Sequence, residues 1–379
     1  MAARLINLSA GNAVLPLEVL TRAQQELVDY NGTGQSVLEM GYRTPAHEEI
    51  CRRTEALFRE VNAIPDDYEV LMTSGGASLL FSTIPMNLLG ESSSYQTDKS
   101  VNVLLSGYWS KKTAAAMAKH AKVTSVGVDA ADNYFALANP RDWQLDASGA
   151  YFHYTSADTR QGLQIRDFPH EAIPEGMLLV CDMSADFGSR RVDVSKFDII
   201  YVAGHKNFST AGVTFLIIRK SVLDQCRVCA GTPDVCNWQV MREQPCKQYN
   251  VPIIASIWIA MLVLEWMKDK GGVPYFEELA PRRANILYDF IDASNGFYRT
   301  FVTDPKWRSW MHVVFYCEDN ELSKQLVAFL LANNVVDARA HPLGANREAI
   351  RVTMYNPQPI EQVIAIRDLL IQFQAQHVN

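Results

Sequence analysis

The sequence predicts an α/β fold built on a mainly parallel sheet of about seven strands, followed by a smaller α+β unit. Two features carry this. Short apolar runs alternate with helix-like stretches up to about residue 270, and after Gly271-Gly272 the order changes to helix, strand, helix, strand, helix. The 379 residues, 48% hydrophobic and 20% charged, suffice for one large or two moderate folded domains. We expect a large domain over 16–270 and a small one over 271–379, joined by the N-terminal segment 1–15.

In order, strands are expected over 69–73, 101–105, 123–127, 150–154, 178–181, 199–202 and 214–218, where apolar residues run between polar turns. Helices are expected over 52–61 and 111–122 from the spacing of apolar and small residues, with a further helix-like run opening after Thr73-Ser-Gly-Gly-Ala-Ser78. The second unit reads as a helix over 275–292, a strand over 310–315, a helix over 321–333, a strand over 350–354 and a last helix from Ile360.

A net charge of −7 with no long basic block argues against nucleic acid or an anionic membrane as the main partner and favours small molecules. The first residues lack an apolar signal region, and the most apolar stretch, 253–267, is too short to span a bilayer and contains Glu265. A cytoplasmic protein is expected. Seven cysteines, an odd number, suit reduced thiols. Cys226, Cys229, Cys236 and Cys246 cluster in sequence, but their spacing does not match a zinc ribbon, so no metal is assigned.

Chemistry concentrates on Lys206, in the polar turn Gly204-His-Lys-Asn-Phe-Ser-Thr-Ala-Gly212 between two apolar runs. A lysine held at a strand end, partly buried, has a lowered pKa and can form a Schiff base; a snorkelling surface lysine is the other reading. Met177-Leu-Leu-Val-Cys-Asp182 reads as a buried strand ending in an acid. Pyridoxal phosphate needs such a pair, a lysine for its aldehyde carbon and a carboxylate to keep its ring nitrogen protonated; Asp182 as a simple turn cap is the alternative. Thr73-Ser-Gly-Gly-Ala-Ser78 follows a strand and opens a helix-like run, so its backbone N–H groups suit a phosphate, with a structural turn as the other reading, and it matches neither the dinucleotide nor the nucleotide-triphosphate loop. Trp109 suits stacking on a planar ring or plain packing, and Thr159 suits a bond to a ring hydroxyl or to backbone.

Several stretches fall together in order and spacing: Asn7-Leu-Ser-Ala-Gly11, Ala13-Val-Leu-Pro16, Ser36-Val-Leu-Glu-Met40, Gly75-Gly-Ala-Ser-Leu-Leu-Phe81, Ile84-Pro-Met-Asn-Leu-Leu89, Gly107-Tyr-Trp-Ser110, Asp182-Met-Ser184, Ser189-Arg190, Lys206-Asn207, Ala211-Gly212 and Tyr355-Asn356. Over nearly its whole length the chain resembles the phosphoserine aminotransferases, class V aminotransferases of the fold-type I pyridoxal-phosphate enzymes. The resemblance implies a fold-type I transferase in which Lys206 carries the cofactor as a Schiff base and Asp182 pairs with its ring nitrogen. It also implies that Trp109 stacks on the ring, Thr159 meets the ring hydroxyl, and Gly76, Ala77 and His205 lie at the phosphate. A homodimer is implied, with Asn250 completing the partner's phosphate site; Val251 stands where the family has a threonine and lacks its hydroxyl.

For substrate, Arg351 falls on the family's α-carboxylate arginine and Arg43 on the arginine for the distal anion. A guanidinium fork suits a carboxylate because it donates two parallel charge-assisted bonds. Departures gather at this distal end. Tyr42 replaces a usual histidine, His341 is followed by Pro342 where the family has arginine, and Arg339 or Arg347 are the available replacements. Asn12, His205 and Ala157-Asp158-Thr159-Arg160 also differ from the family near the cofactor. The expected activity is transamination between phosphoserine and 2-oxoglutarate in serine biosynthesis. A sister aminotransferase for another amino acid and 2-oxo acid is the alternative. A lyase would need a thiol on a mobile loop, whereas Cys317 ends an expected strand, and a non-catalytic scaffold would not need Lys206 and Asp182.

Overall fold

A computed structural model describes residues 4–90, 99–127 and 134–378, so residues 1–3 of the N-terminal segment lie outside the described residues. All seven expected strands are present. They form one sheet in the order Tyr68–Thr73, Thr214–Arg219, Ile199–Ala203, Leu178–Asp182, Tyr151–Thr155, Ser100–Leu104, Lys122–Val126. Thr214–Arg219 is antiparallel to both neighbours and every other pairing in the sheet is parallel.

Successive residues of the inner strands enter opposite cores, as the two-residue repeat of a strand requires. Val70, Met72, Ile200, Val202, Phe215 and Ile217 pack on one face with Phe58 and Trp258. Leu71, Ile199, Tyr201, Leu216 and Ile218 pack on the other with Phe81 and Ile84. The helices Pro45–Val61 and Ile254–Asp269 cover the first face. The second helix is buried almost all round, which explains its unbroken apolar sequence; among the described residues no helix is long and apolar enough to cross a membrane.

Two helix boundaries differ from expectation. Pro45–Val61 starts seven residues before the expected 52, because Thr44 accepts the His47 N–H and Pro45 takes the first turn, where its missing donor costs nothing. Tyr108–Met117 replaces the expected 111–122, and Lys122 opens a strand instead. Its start is fixed by a remote group, the Asp158 carboxylate, which accepts the Trp109 N–H at 2.8 Å. In the second unit, Tyr298–Thr300, His312–Cys317 and Ile350–Thr353 form an antiparallel sheet, packed against Val273–Asp292, Asn320–Ala332 and Ile360–His377 around a separate core. The strand expected at 310–315 therefore lies two residues later. Near the N-terminus, Ile6–Asn7 pairs with Val335–Val336 and Leu8 enters this second core.

Candidate active site

The functional side chains gather at the carboxyl ends of the parallel strands, where open α/β sheets place their ligands. Lys206 follows Ile199–Ala203 in a turn closed by the Phe208 and Ser209 N–H groups on the Gly204 carbonyl. Only glycine fits at 204, since a Cβ there would lie 2.8 Å from the Val213 carbonyl oxygen and 2.7 Å from its Cγ1. Next to the lysine, the buried Asn207 amide donates to the Ala185 and Phe187 carbonyls, and its oxygen accepts the Asn356 N–H at 3.0 Å. The fully buried Arg283 guanidinium in turn donates to the carbonyls of Tyr355, Asn356 and Gln358, fixing that turn against the helix Val273–Asp292.

Asp182 ends Leu178–Asp182 and accepts the Ser184 N–H at 2.9 Å, while the Ser184 hydroxyl accepts the Ala203 N–H just before the lysine turn. Burial lowers the Lys206 pKa against the opposing pull of the Asp182, Asp158 and Asp186 carboxylates, and Arg351 lowers it further. Burial raises Asp182 in the same way, and the Lys206 ammonium works against that rise. The lysine amine lies 6.0 Å from the centroid of the Trp109 ring, whose Nε1 donates to the Thr159 hydroxyl at 2.9 Å. The Thr159 carbonyl accepts from Arg351 Nη1 at 3.2 Å, while Arg351 Nε is buried with no partner.

Lys206, Asp182, Trp109, Thr159 and Arg351 thus come together. Gly76 and Ala77 open the helix Gly76–Leu88, whose N-terminus has no side-chain cap, and space for a Cβ is open at Gly76. Those free amides suit an anion. His205 is half-buried and its carbonyl accepts the Ala13 N–H. Burial, and then Lys206, push its imidazole down to about 4. Such a group is neutral in the folded chain and protonates in the unfolded chain, so its contribution is complete above 6.5 and is lost as pH falls through about 4. The loss amounts to up to about 3 kcal/mol, less for the residual contact with water. In the cofactor-free chain, His205→Gln is expected to flatten the stability curve across that window in chemical denaturation; an unchanged slope would show that His205 does not cause it.

The remaining expected residues lie at the surface. Tyr42 and Arg43 are exposed and stack on each other, with the guanidinium 5.1 Å from the ring centroid. His341 and Asn250 are exposed, and Val251 is 69% exposed. Neither arginine considered as a replacement turns to the lysine. Arg339 pairs with Glu348 at 3.3 Å, and Arg347 donates to the Glu318 carbonyl.

Several groups at the centre escape sequence reasoning. Asp158, at 0% exposure, accepts the N–H groups of Trp109 and Arg160, and burial raises it to about 6. Asp186 is equally buried, paired with Arg190 and bonded to the Ser156 hydroxyl and the Gln164 amide. His312 is buried with neither ring nitrogen bonded, and burial with the Arg351 and Lys206 charges pushes it well below its ordinary value. The sequence signals were slight: Asp158 stands in a stretch already noted near the cofactor, Asp186 in the polar stretch after Asp182, and His312 alone inside an apolar run. The thiols of Cys226, Cys229 and Cys236 do not assemble with one another as ligands among the described residues.

The aminotransferase class-V family model matches residues 5–364. The chain belongs to the class-V aminotransferases. Within that family it is similar to the phosphoserine aminotransferase of Chromobacterium violaceum, 38% identical over 375 residues and 99% of each chain. The solved phosphoserine aminotransferase of Bacillus circulans subsp. alkalophilus superposes with a TM-score of 0.91, 31% identity and 99% coverage of both chains. The pyridoxal-phosphate-bound phosphoserine aminotransferase of Trichomonas vaginalis gives 0.88 at 30% identity, covering 98% of this chain and 100% of that one. For this class-V aminotransferase the likeness extends through both units.

Proposed function

We propose that the chain is a pyridoxal-phosphate-dependent phosphoserine:2-oxoglutarate aminotransferase of serine biosynthesis. The observation that carries it is the convergence of Lys206, Asp182, Trp109 and an incompletely bonded Arg351 at the strand ends, in a chain that matches phosphoserine aminotransferases end to end. The residues fit the cofactor. Uncapped amides at Gly76 and Ala77 suit its phosphate, the Trp109 face suits its ring, and the burial-raised Asp182 gains from a second cation beside it. When bound, pyridoxal phosphate supplies the electron-accepting ring that makes the α-proton of an amino acid removable.

The protein's own groups then do the rest. Lys206, its amine pKa lowered, is both nucleophile and proton carrier at the α-carbon. Arg351 Nε and Nη groups hold the α-carboxylate and so fix which substrate bond faces the lysine. Asp158 positions Trp109 by holding its backbone N–H.

In this reading residues 16–270 form the large domain and 271–379 the small one. The two separate cores support that division, as does the pairing of the N-terminal segment with the small unit. Exposed Asn250 is assigned to the partner's phosphate site in a homodimer, and Tyr42, Arg43 and His341 to the substrate site. Seven unpaired thiols support a cytoplasmic location.

The test mixes cofactor-loaded protein separately with phosphoserine, glutamate, serine and alanine and follows loss of the cofactor's aldehyde-form absorbance. Rapid conversion by phosphoserine and glutamate is expected. The engagement of Arg339 with Glu348 and of Arg347 with the Glu318 carbonyl favours a second reading, a sister enzyme for a substrate without a distal phosphate, and conversion by alanine or serine alone would establish that instead.

A further inference from the structure

We propose that His47, Cys51 and Cys246 form a site for a thiophilic divalent cation of the zinc class. His47 and Cys51 lie one turn apart on the helix Pro45–Val61 and share a face, both buried. Cys246 reaches them from the segment Pro245–Lys247. His47 Nε2 is 3.5 Å from Cys51 Sγ and Nδ1 is 3.8 Å from Cys246 Sγ, and one ligand atom from each residue lies within 4.8 Å of the other two.

In a tetrahedral zinc site with Zn–S bonds of about 2.3 Å and Zn–N bonds of about 2.0 Å, the ligand atoms stand roughly 3.5–3.8 Å apart. Those two distances run to different ring nitrogens of His47, of which a metal takes one, so with one atom per residue within 4.8 Å the three ligands must draw together by up to about 1 Å. Two thiolates and an imidazole are a borderline-soft donor set that selects zinc over magnesium or calcium. The fourth position faces an open groove of about 640 Å³ bordered by Pro45, Glu48 and Cys246, where water completes the shell.

A second observation concerns the backbone. Cys246 and Lys247 adopt φ of 53° and 55°, a left-handed conformation that side-chain-bearing residues rarely take. Lys247 is anchored by Glu55 at 2.8 Å and by Glu69, which fixes the segment against the helix with the Cys246 thiol facing His47. The cost of two left-handed residues has a purpose if they present a ligand.

The site would clasp two segments. One helix begins two residues after Arg43, assigned above to the substrate site, and the loop runs on to Asn250, assigned to the partner's phosphate site. That consequence rests on the proposed function, whereas metal binding itself does not.

Cofactor-loaded protein, stripped of metal by a chelator, is titrated with Zn²⁺ against a chromogenic competitor, and metal content is measured after gel filtration. One zinc per chain is expected, with an X-ray absorption shell of two sulfurs and one imidazole. Cys246→Ser should weaken binding by about 100-fold or more, whereas the triple variant Cys226→Ser, Cys229→Ser, Cys236→Ser should bind as before. Should Cys246→Ser fail to fold, the absorption shell of the unaltered protein decides. Uptake no tighter than a competitor of about micromolar affinity would overturn the site. So would loss of binding in the triple variant, a shell without sulfur, or a Cys51–Cys246 disulfide in protein prepared under reducing conditions. Full zinc occupancy with no transamination would leave the metal site standing and remove the proposed function.

Discussion

Lys206→Ala is expected to lower transamination by at least about 10³-fold. Lys206 is the amine that lies beside the Trp109 ring while its charge is balanced by Asp182, Asp158 and Asp186. Its burial-lowered pKa shifts the amine toward the free base, which both covalent capture of an aldehyde and proton transfer require. Alanine removes that amine and leaves the buried Asp182 and Asp158 short of a cation, so some loss of stability accompanies the loss of rate. Lys206→Arg separates the two effects, because it keeps a cation but has no nucleophilic free base. The measurement is the mass of the chain after borohydride reduction with pyridoxal phosphate, together with the turnover rate. The unaltered chain should gain one cofactor mass and both variants none; a variant that still turns over at a comparable rate would sink the assignment.

Arg351→Ala is expected to reduce kcat/KM by roughly 10²-fold, corresponding to about 2–3 kcal/mol for a lost charge-assisted fork. Most of that should appear in KM. Arg351 donates once, to the Thr159 carbonyl, and its Nε has no partner, so the folded chain leaves much of its bonding capacity for a substrate carboxylate. For the same reason the variant should lose little thermal stability, since removing a half-satisfied buried cation recovers desolvation. Arg351→Lys should recover only part of the affinity, because an ammonium cannot make the parallel pair. The Arg351 charge lowers the Lys206 pKa, so Arg351→Ala should also move the limb of the pH–rate profile that reports the free amine to higher pH. An unchanged KM with an altered unfolding temperature would make Arg351 structural.

Much of this was legible because strands and local motifs are short-range. Six strands of the sheet were visible as apolar runs since they are covered on both faces, while the edge strand Lys122–Val126 is only partly buried. Lys206 and Asp182 could be picked out because each directly follows or ends such a run, where a parallel sheet puts its ligands. Even the missed start of Pro45–Val61 was present in Thr44-Pro45, an N-cap followed by a first-turn proline.

Other features needed three dimensions. The start of Tyr108–Met117 depends on an Asp158 carboxylate 49 residues away from Trp109. Asp158, Asp186 and His312 are polar groups whose roles follow from what surrounds them, and burial raises the Asp158 carboxyl and lowers the His312 imidazole relative to the free side chains. The partnership of His47, Cys51 and Cys246 links residues almost 200 positions apart, whereas Cys226, Cys229 and Cys236, near Cys246 in sequence, form no such group among the described residues.

The sequence by itself determined the α/β class, the strands, the family and the lysine–aspartate pair, because periodicity, turn chemistry and motif order act over a few residues. Only the tertiary structure decided which groups meet at Lys206, which of its neighbours are charged, and that Arg339 and Arg347 are engaged elsewhere. Those outcomes depend on desolvation and on contacts between distant segments, and neither quantity is defined until the chain has closed on itself.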